Sequence, residues 1–151
     1  MPNELPQGDT ARLAAWLRTA PALAWLRALW VDDVPAAPYT GGLFPAGAAA
    51  TARRADILGR RVERRRARWV LRLVLPHGKS AANALCLEQL AAWVAAQSAA
   101  GEAPHFGSRD RETEMLSAAG ALESVSDEGT AVYAVTLQAD YTVQCNEGGN
   151  T

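Results

Sequence analysis

From Arg64 to Leu75 the chain alternates with a period of two. Arg64, Arg66, Arg68 and Arg72 fall on one side, and Ala67, Trp69, Leu71, Leu73 and Leu75 on the other. Successive side chains of an extended strand point to opposite faces, so this stretch predicts one buried face and one row of guanidinium groups. Unscreened like charges repel, so the row needs a partner. Nucleic acid, another copy of the chain and water are the three candidates.

The charge totals narrow that choice. Formal net charge is −1, yet nine of the fifteen basic residues lie between Arg53 and Arg72. Residues 50–80 carry ten Arg or Lys against Asp56 and Glu63, whereas residues 102–151 carry nine acids against Arg109 and Arg111. A body with one basic and one acidic region can associate with itself head to tail, while a dedicated nucleic-acid binder is more often basic throughout. Self-association is the first expectation. The 151 residues suit one domain over 9–145, with flexible ends at 1–8 and 146–151. Met1–Gly8 lacks the basic and apolar blocks of an export signal, and no apolar run reaches the ~20 residues of a membrane helix. A protein of a reducing cytoplasm is expected, with Cys86 and Cys145 free.

The punctuation along the chain predicts an α+β fold. Asp9 or Thr10 can cap a helix with Leu13, Trp16, Leu17 and Ala20 on its inner stripe. Pro21 restarts or kinks the chain, and Leu23, Trp25, Leu26, Leu29 and Trp30 carry the apolar content onward. A Pro/Gly-rich crossing follows to Gly47, with a short strand near 42–45 and another over 48–56. Gly59 turns the chain into the strong strand Arg60–Leu75. Ser80 can cap a long helix, Ala81–Ala100, marked by Cys86, Leu87, Leu90, Trp93, Val94 and Gln97, with Gly101 as its stop. Two strands close the chain, about 112–125 and 131–145, joined by a hairpin loop at Gly129; the second alternates cleanly, Tyr133, Val135, Leu137, Ala139, Tyr141 and Val143 against Ala134, Thr136, Gln138, Asp140, Thr142 and Gln144. The order α-β-β-(β)-α-β-β implies a mostly antiparallel sheet of four to five strands with two main helices on one face.

Chemical motifs are weak. His77-Gly78-Lys79-Ser80 lacks the earlier glycine of a phosphate-binding loop, since Leu73 stands in its place. His77 and His105 lie in separate loops without the further ligands of a zinc site. Cys86 sits on an apolar stripe, and the position of Cys145 does not support a nucleophile pair. Glu112 and Glu114, beside Arg109 and Arg111, suit surface ion pairs better than acid–base catalysis. A non-enzyme with no cofactor and no metal is expected.

One resemblance covers roughly residues 10–145. It is carried by Val31-Asp32-Asp33-Val34-Pro35, Leu43-Phe44-Pro45-Ala46-Gly47, Arg54-Ala55-Asp56-Ile57-Leu58-Gly59 and Trp69-Val70-Leu71-Arg72. Further along come Leu90-Ala91-Ala92-Trp93-Val94-Ala95-Ala96-Gln97-Ser98, Pro104-His105-Phe106-Gly107 and Gly129-Thr130-Ala131-Val132-Tyr133. In their order and spacing the chain resembles the small phage tail terminator proteins, in particular a prophage branch described as minor capsid or minor tail proteins. The resemblance implies an α+β subunit, no cofactor and a homohexameric ring at the head-proximal end of a tail. Such a ring caps the last ring of the tail tube, ends its growth and offers the docking surface for head, connector or collar, with a lumen through which DNA passes. It is made in the cytoplasm of a bacterial host; a contractile, DNA-free particle would use the same cap. A neck or tail-completion ring of similar fold is an alternative, and a small nucleic-acid-binding module another.

A ring subunit needs a lateral and an axial contact. For the lateral one, or for the lumen, the charge asymmetry nominates Arg53, Arg54, Arg64, Arg66, Arg68 and Arg72 against Glu112, Glu114, Glu123, Asp127 and Glu128 of a neighbour. For axial contact with the tube or neck, the crossing nominates Pro38, Tyr39, Leu43 and Phe44, because loops on a rigid sheet carry binding function.

Overall fold

The structure, a computed structural model, describes residues 8–34, 37–55, 57–107, 114–126 and 128–145. Helix α1 spans Asp9–Leu17, and Pro21–Leu23 forms a single 3-10 turn. Strands β1 (Ala28–Val31), β2 (Thr40–Ala55) and β3 (Arg61–Pro76) follow, then helix α2 (Ser80–Ala99), β4 (Met115–Val125) and β5 (Thr130–Cys145). They build an α+β fold with one five-stranded sheet in the order β1-β2-β3-β5-β4. β1 runs parallel to β2 and every other pairing is antiparallel, so the sheet is mixed.

The strong alternating strand and the last strand form its centre. They pair from Arg61↔Cys145 to Pro76↔Thr130 without a register shift. Alternation then sorts the side chains: Ala67, Trp69, Leu71 and Leu73 of β3 join Val135, Leu137, Ala139 and Tyr141 of β5 on one face. Leu13 and Leu17 of α1 and Leu90 and Val94 of α2 cover that face, all four fully buried. Trp16 stacks on Trp93 at 4.5 Å between ring centres, and its indole N–H donates to Gln97 Oε1, which locks α1 to α2. Gly120 of β4 makes room for α2, because a Cβ there would stand 3.1 Å from Val135 and 3.3 Å from Leu87.

Four local expectations are corrected. The stretch after Pro21 supplies a strand, β1, that the sequence pattern did not place, and Leu29 and Trp30 lie on it. Four residues are too few to display a period, and their pairing with Thr40–Leu43 is tertiary. β2 is one continuous strand, not two, because Pro45–Gly47 and Thr51 are absorbed as register shifts between Pro45/Ala48 and Ala50/Ala52. Neither predicted cap caps: Gly8 and Lys79 occupy the N-cap positions and neither helix start has a side-chain cap bond. Thr10 Oγ1 instead accepts from the Trp69 indole N–H, and the turn into α2 is made by Gly78 at φ +102° with Asn83 donating back to Pro76 O. Finally, β4 begins at Met115, so Glu114 precedes the strand.

The return from β1 to β2 crosses the face that the helices leave bare. Asp33 O lies only 2.0 Å from where a Cβ on Gly42 would stand. Gly41, one step along, meets Leu73 and Leu26 at 3.2 and 3.3 Å on the helix side. The Gly-Gly pair is therefore required twice, once on each face.

Candidate functional site

On the bare face the register decides which side chain faces which arginine. Arg64, Arg66 and Arg68 of β3 lie directly opposite Thr142, Asp140 and Gln138 of β5. Each arginine donates to its opposite number: Arg64 Nη1 to Thr142 Oγ1 at 3.2 Å, Arg66 Nε to Asp140 Oδ1 at 2.8 Å, and Arg68 Nε to Gln138 Oε1 at 3.0 Å. Gln138 Nε2 closes the ladder by donating to Asp140 Oδ2 at 3.1 Å. Arg72 makes a two-pronged contact with Glu123, 2.9 Å from Nε and 3.2 Å from Nη2, and its guanidinium lies 5.1 Å above the Phe44 ring. Direct cross-strand pairs of this kind are the unit of sheet stabilisation. The guanidinium row is thus ordered by acceptors of its own chain. The hydrogen bond from Arg72 lowers the Glu123 carboxyl below its usual range, and the same bond raises Arg72.

The nominated acids part company. Glu123 is engaged by Arg72, as just described. Glu114 accepts from the backbone N–H of Phe106 and of Gly107, both at 2.9 Å, and lies 3.0 Å from His105 Nδ1. It fastens the loop after α2, and Arg12 secures the same loop by donating to His105 O at 2.8 Å. Glu128 is exposed in the β4–β5 turn, where its backbone N–H donates to Ser126 Oγ. Glu112 and Asp127 lie outside the described residues, as do Arg109 and Arg111. Asp140, Gln138 and Thr142 were missed, although they form the polar alternate of the β5 pattern. Matching that alternate against the arginine alternate of β3 would have found them.

Of the four residues nominated for axial contact, Leu43 is 0% exposed and belongs to the core, because its position in β2 faces the helices. Phe44 is half-buried beneath Arg72. Tyr39, at φ +66°, donates its backbone N–H to Val74 O and lies edge-on to Trp25, with Arg27 over its ring. Pro38 is exposed.

Beyond the helices, β2 and β3 continue to a hairpin whose turn extends past the end of β5, which accompanies β3 as far as Arg61↔Cys145. Arg53 pairs with Glu63 at 3.0 Å yet its side chain remains 77% exposed, and Arg54 beside it is exposed. Arg65 Nε lies 3.1 Å from Glu63 Oε1, an ion-pair distance without hydrogen-bond geometry. At the tip Ile57 is 100% exposed and Leu58 76%. At the same end of the sheet an open groove of about 700 Å³ runs between the last turn of α2 and the start of β4, lined by Ala95, Ser98, Ala99, Gly101, Met115 and Leu116 among others.

Other chemistry-bearing groups take structural places. Cys86 is half-buried and donates to Ala22 O, and burial pushes its thiol up. The side chain of Cys145 lies outside the described residues. His77 lies in an exposed strand-to-helix turn, tied by its backbone N–H to Gly129 O. Among the described residues, no group of three or more His, Cys, Asp or Glu is placed to hold a metal ion, and no helix is long and apolar enough to cross a membrane. In comparisons with known proteins, no family model matches the chain, and no curated protein matches it.

Proposed function

We propose that the protein is a structural subunit of a phage or phage-like tail. Six copies form a ring that caps the tail tube, stops its polymerisation and presents the docking surface for neck, connector or collar. The observation that carries this reading is a sheet covered by helices on one face only. Its other face bears an arginine row held by its own chain, and among the described residues most of β2 and all of β4 have an unpaired outer edge. A wall segment of a ring needs such a body: a rigid plate with a packed outer layer, a solvated inner face and two unlike sides. With the row facing inward, the lumen is lined by arginines held in place by their own chain, two of them, Arg66 and Arg72, against carboxylates. The partners are other copies of the chain, the tube protein and a neck or collar protein; no cofactor and no membrane takes part. The loop that carries Pro38 and Tyr39 is the element for axial contact.

The test is tube assembly. Purified protein added to polymerising tube protein is expected to halt growth and to sit as a ring at one end in electron micrographs. An unchanged length distribution with bare tube ends would overturn the proposal.

The second reading is a nucleic-acid-binding module, favoured by the exposed Arg53 and Arg54. Its signature is a tight complex between monomer and DNA whose affinity falls steeply with salt, as counterion release requires. The ring reading expects no appreciable DNA binding at physiological salt.

A further inference from the structure

We infer that the β2–β3 hairpin of one copy docks on β4 of the next. The free edge of β2 pairs antiparallel with the free edge of β4, and the tip Ile57-Leu58 seats in the groove between the end of α2 and the start of β4. This joint deepens the ring reading and takes its head-to-tail order from it.

Three observations converge on a second copy as the occupant. The first is the two edges. β1 covers only Thr40–Leu43 of the sixteen-residue β2, and among the described residues no strand pairs with the outer side of the remaining twelve or of the eleven-residue β4. Unpaired edges recruit strands unless Lys, Pro, bulges or inward charges blunt them; β4 carries no such feature from Met115 to Leu122, and in β2 residues 52–55 lie beyond Pro45 and both register shifts. β2 is antiparallel to β3, β3 to β5 and β5 to β4, so β4 runs opposite to β2. Two copies placed side by side in one orientation therefore bring these edges together antiparallel, as a heterologous and ring-forming contact. The two register shifts in β2 bend that strand, as a curved wall requires.

The second observation is the tip and the groove. The hairpin turn follows Ala55, which pairs with Arg61 and, through it, lies level with Cys145; Met115 lies level with Asp140. Tip and groove lie towards the same end of the sheet on opposite borders, five positions apart along β5, so a neighbour docked edge to edge presents its groove to the tip once its strands are offset by that step, about 17 Å. The exposed Ile57-Leu58 pair costs solvation in the monomer and gains burial against Ala95, Ala99, Met115 and Leu116 of the groove, whose rim also holds Ser98, Ser117 and Glu114. The third is charge. The last turn of α2 has no basic residue, and although the N–H groups of Ala100, Gly101 and Glu102 bond back to the carbonyls of Ala96, Ser98 and Gln97, the helix end keeps the negative pole of its dipole; the exposed Arg53 and Arg54 arrive beside the tip with the opposite sign.

The test uses two single-cysteine variants, Leu58→Cys and Ala99→Cys, each in a background with Cys86→Ser and Cys145→Ser. Both side chains are exposed and neither belongs to the core, and a thermal unfolding midpoint close to the parent's checks that each variant is folded. The two are mixed at high concentration, oxidised, and read by non-reducing gels and mass spectrometry, with particle images taken from the same sample. The expected result is a disulfide-linked dimer in the mixture that is absent from either variant alone, and loss of the oligomer in Leu58→Asp. Rings without that mixed product would overturn the joint and leave the ring reading standing. A Leu58→Cys product with itself would also overturn the joint. Absence of rings both in solution and on tube ends would remove the ring reading itself.

Discussion

The arginine row is claimed to be a fixed part of the sheet, and Arg66 with Asp140 is where that claim is sharpest. The pair sits at 2.8 Å; the Asp140 side chain is only 16% exposed, while Arg66 is 41% exposed. Fully exposed ion pairs couple by about 0.2–1 kcal/mol, and hydrogen bonds to charged groups contribute about 1.5–3 kcal/mol. A half-covered pair with a second donor, Gln138, falls between these ranges, so a coupling of about 1 kcal/mol is expected. Arg66→Ala should cost more than Asp140→Ala: it leaves the less exposed carboxylate with Gln138 alone, whereas Arg66 freed of Asp140 can rehydrate. The assay is a double-mutant cycle by urea unfolding, with unchanged slope as the check on the two-state reading. Because screening at 1 M salt acts over ~3 Å, comparable to the separation, the coupling should fall but not vanish there. A coupling within about 0.3 kcal/mol of zero would refute the bonded ladder. It would return the arginines to solvent or to a partner.

Further outcomes follow from single positions. Gly42→Ala should be severely destabilising, by about 4 kcal/mol or more, because its Cβ meets backbone Asp33 O at 2.0 Å rather than a movable side chain; a thermal midpoint within a few degrees of the parent would show that the crossing lies elsewhere. Glu123 has a depressed folded-state carboxyl, so its contribution is present above the ordinary carboxylate range, near pH ~4.3, and is lost as pH falls through the lower folded value. Urea midpoints of Glu123→Gln and the parent should therefore differ at neutral pH and converge in acid; a constant gap would exclude the pair. Cys86, with its thiol raised by burial, should react slowly with a thiol reagent at neutral pH in a Cys145→Ser background and fast on unfolding. Fast reaction of the folded protein would contradict its packing against Ala22.

What the sequence disclosed and what it hid divide along the line between local and tertiary signals. Period two over residues 64–75 and 131–145 located the two central strands and their buried faces, since a half-buried strand writes its environment into every second residue. Leu90 and Val94 on α2, and Gly101 and Gly129 at positive φ, were equally legible. β1 was not, because a four-residue parallel strand is defined by the neighbour it joins. The burial of Leu43 was hidden by the Pro/Gly content around it, which suggests a surface loop until Gly41 and Gly42 are seen to admit close packing on both faces. The partners of the arginine row needed the β3–β5 register, which follows from no single segment. Charge asymmetry pointed to acids of a neighbour; the pairing of β3 with β5 supplied acceptors from within.

The proposed closed ring at the head-proximal end of a tail is open to direct view by cryo-electron microscopy of tails or tail-like particles assembled with this protein. The images should show a single ring of this chain on the last ring of the tube, helices outward, the Arg64–Arg72 face towards the axis, and adjacent copies joined through β2 and β4. Particles whose tubes end without this chain, or that carry it anywhere as isolated subunits, would contradict it.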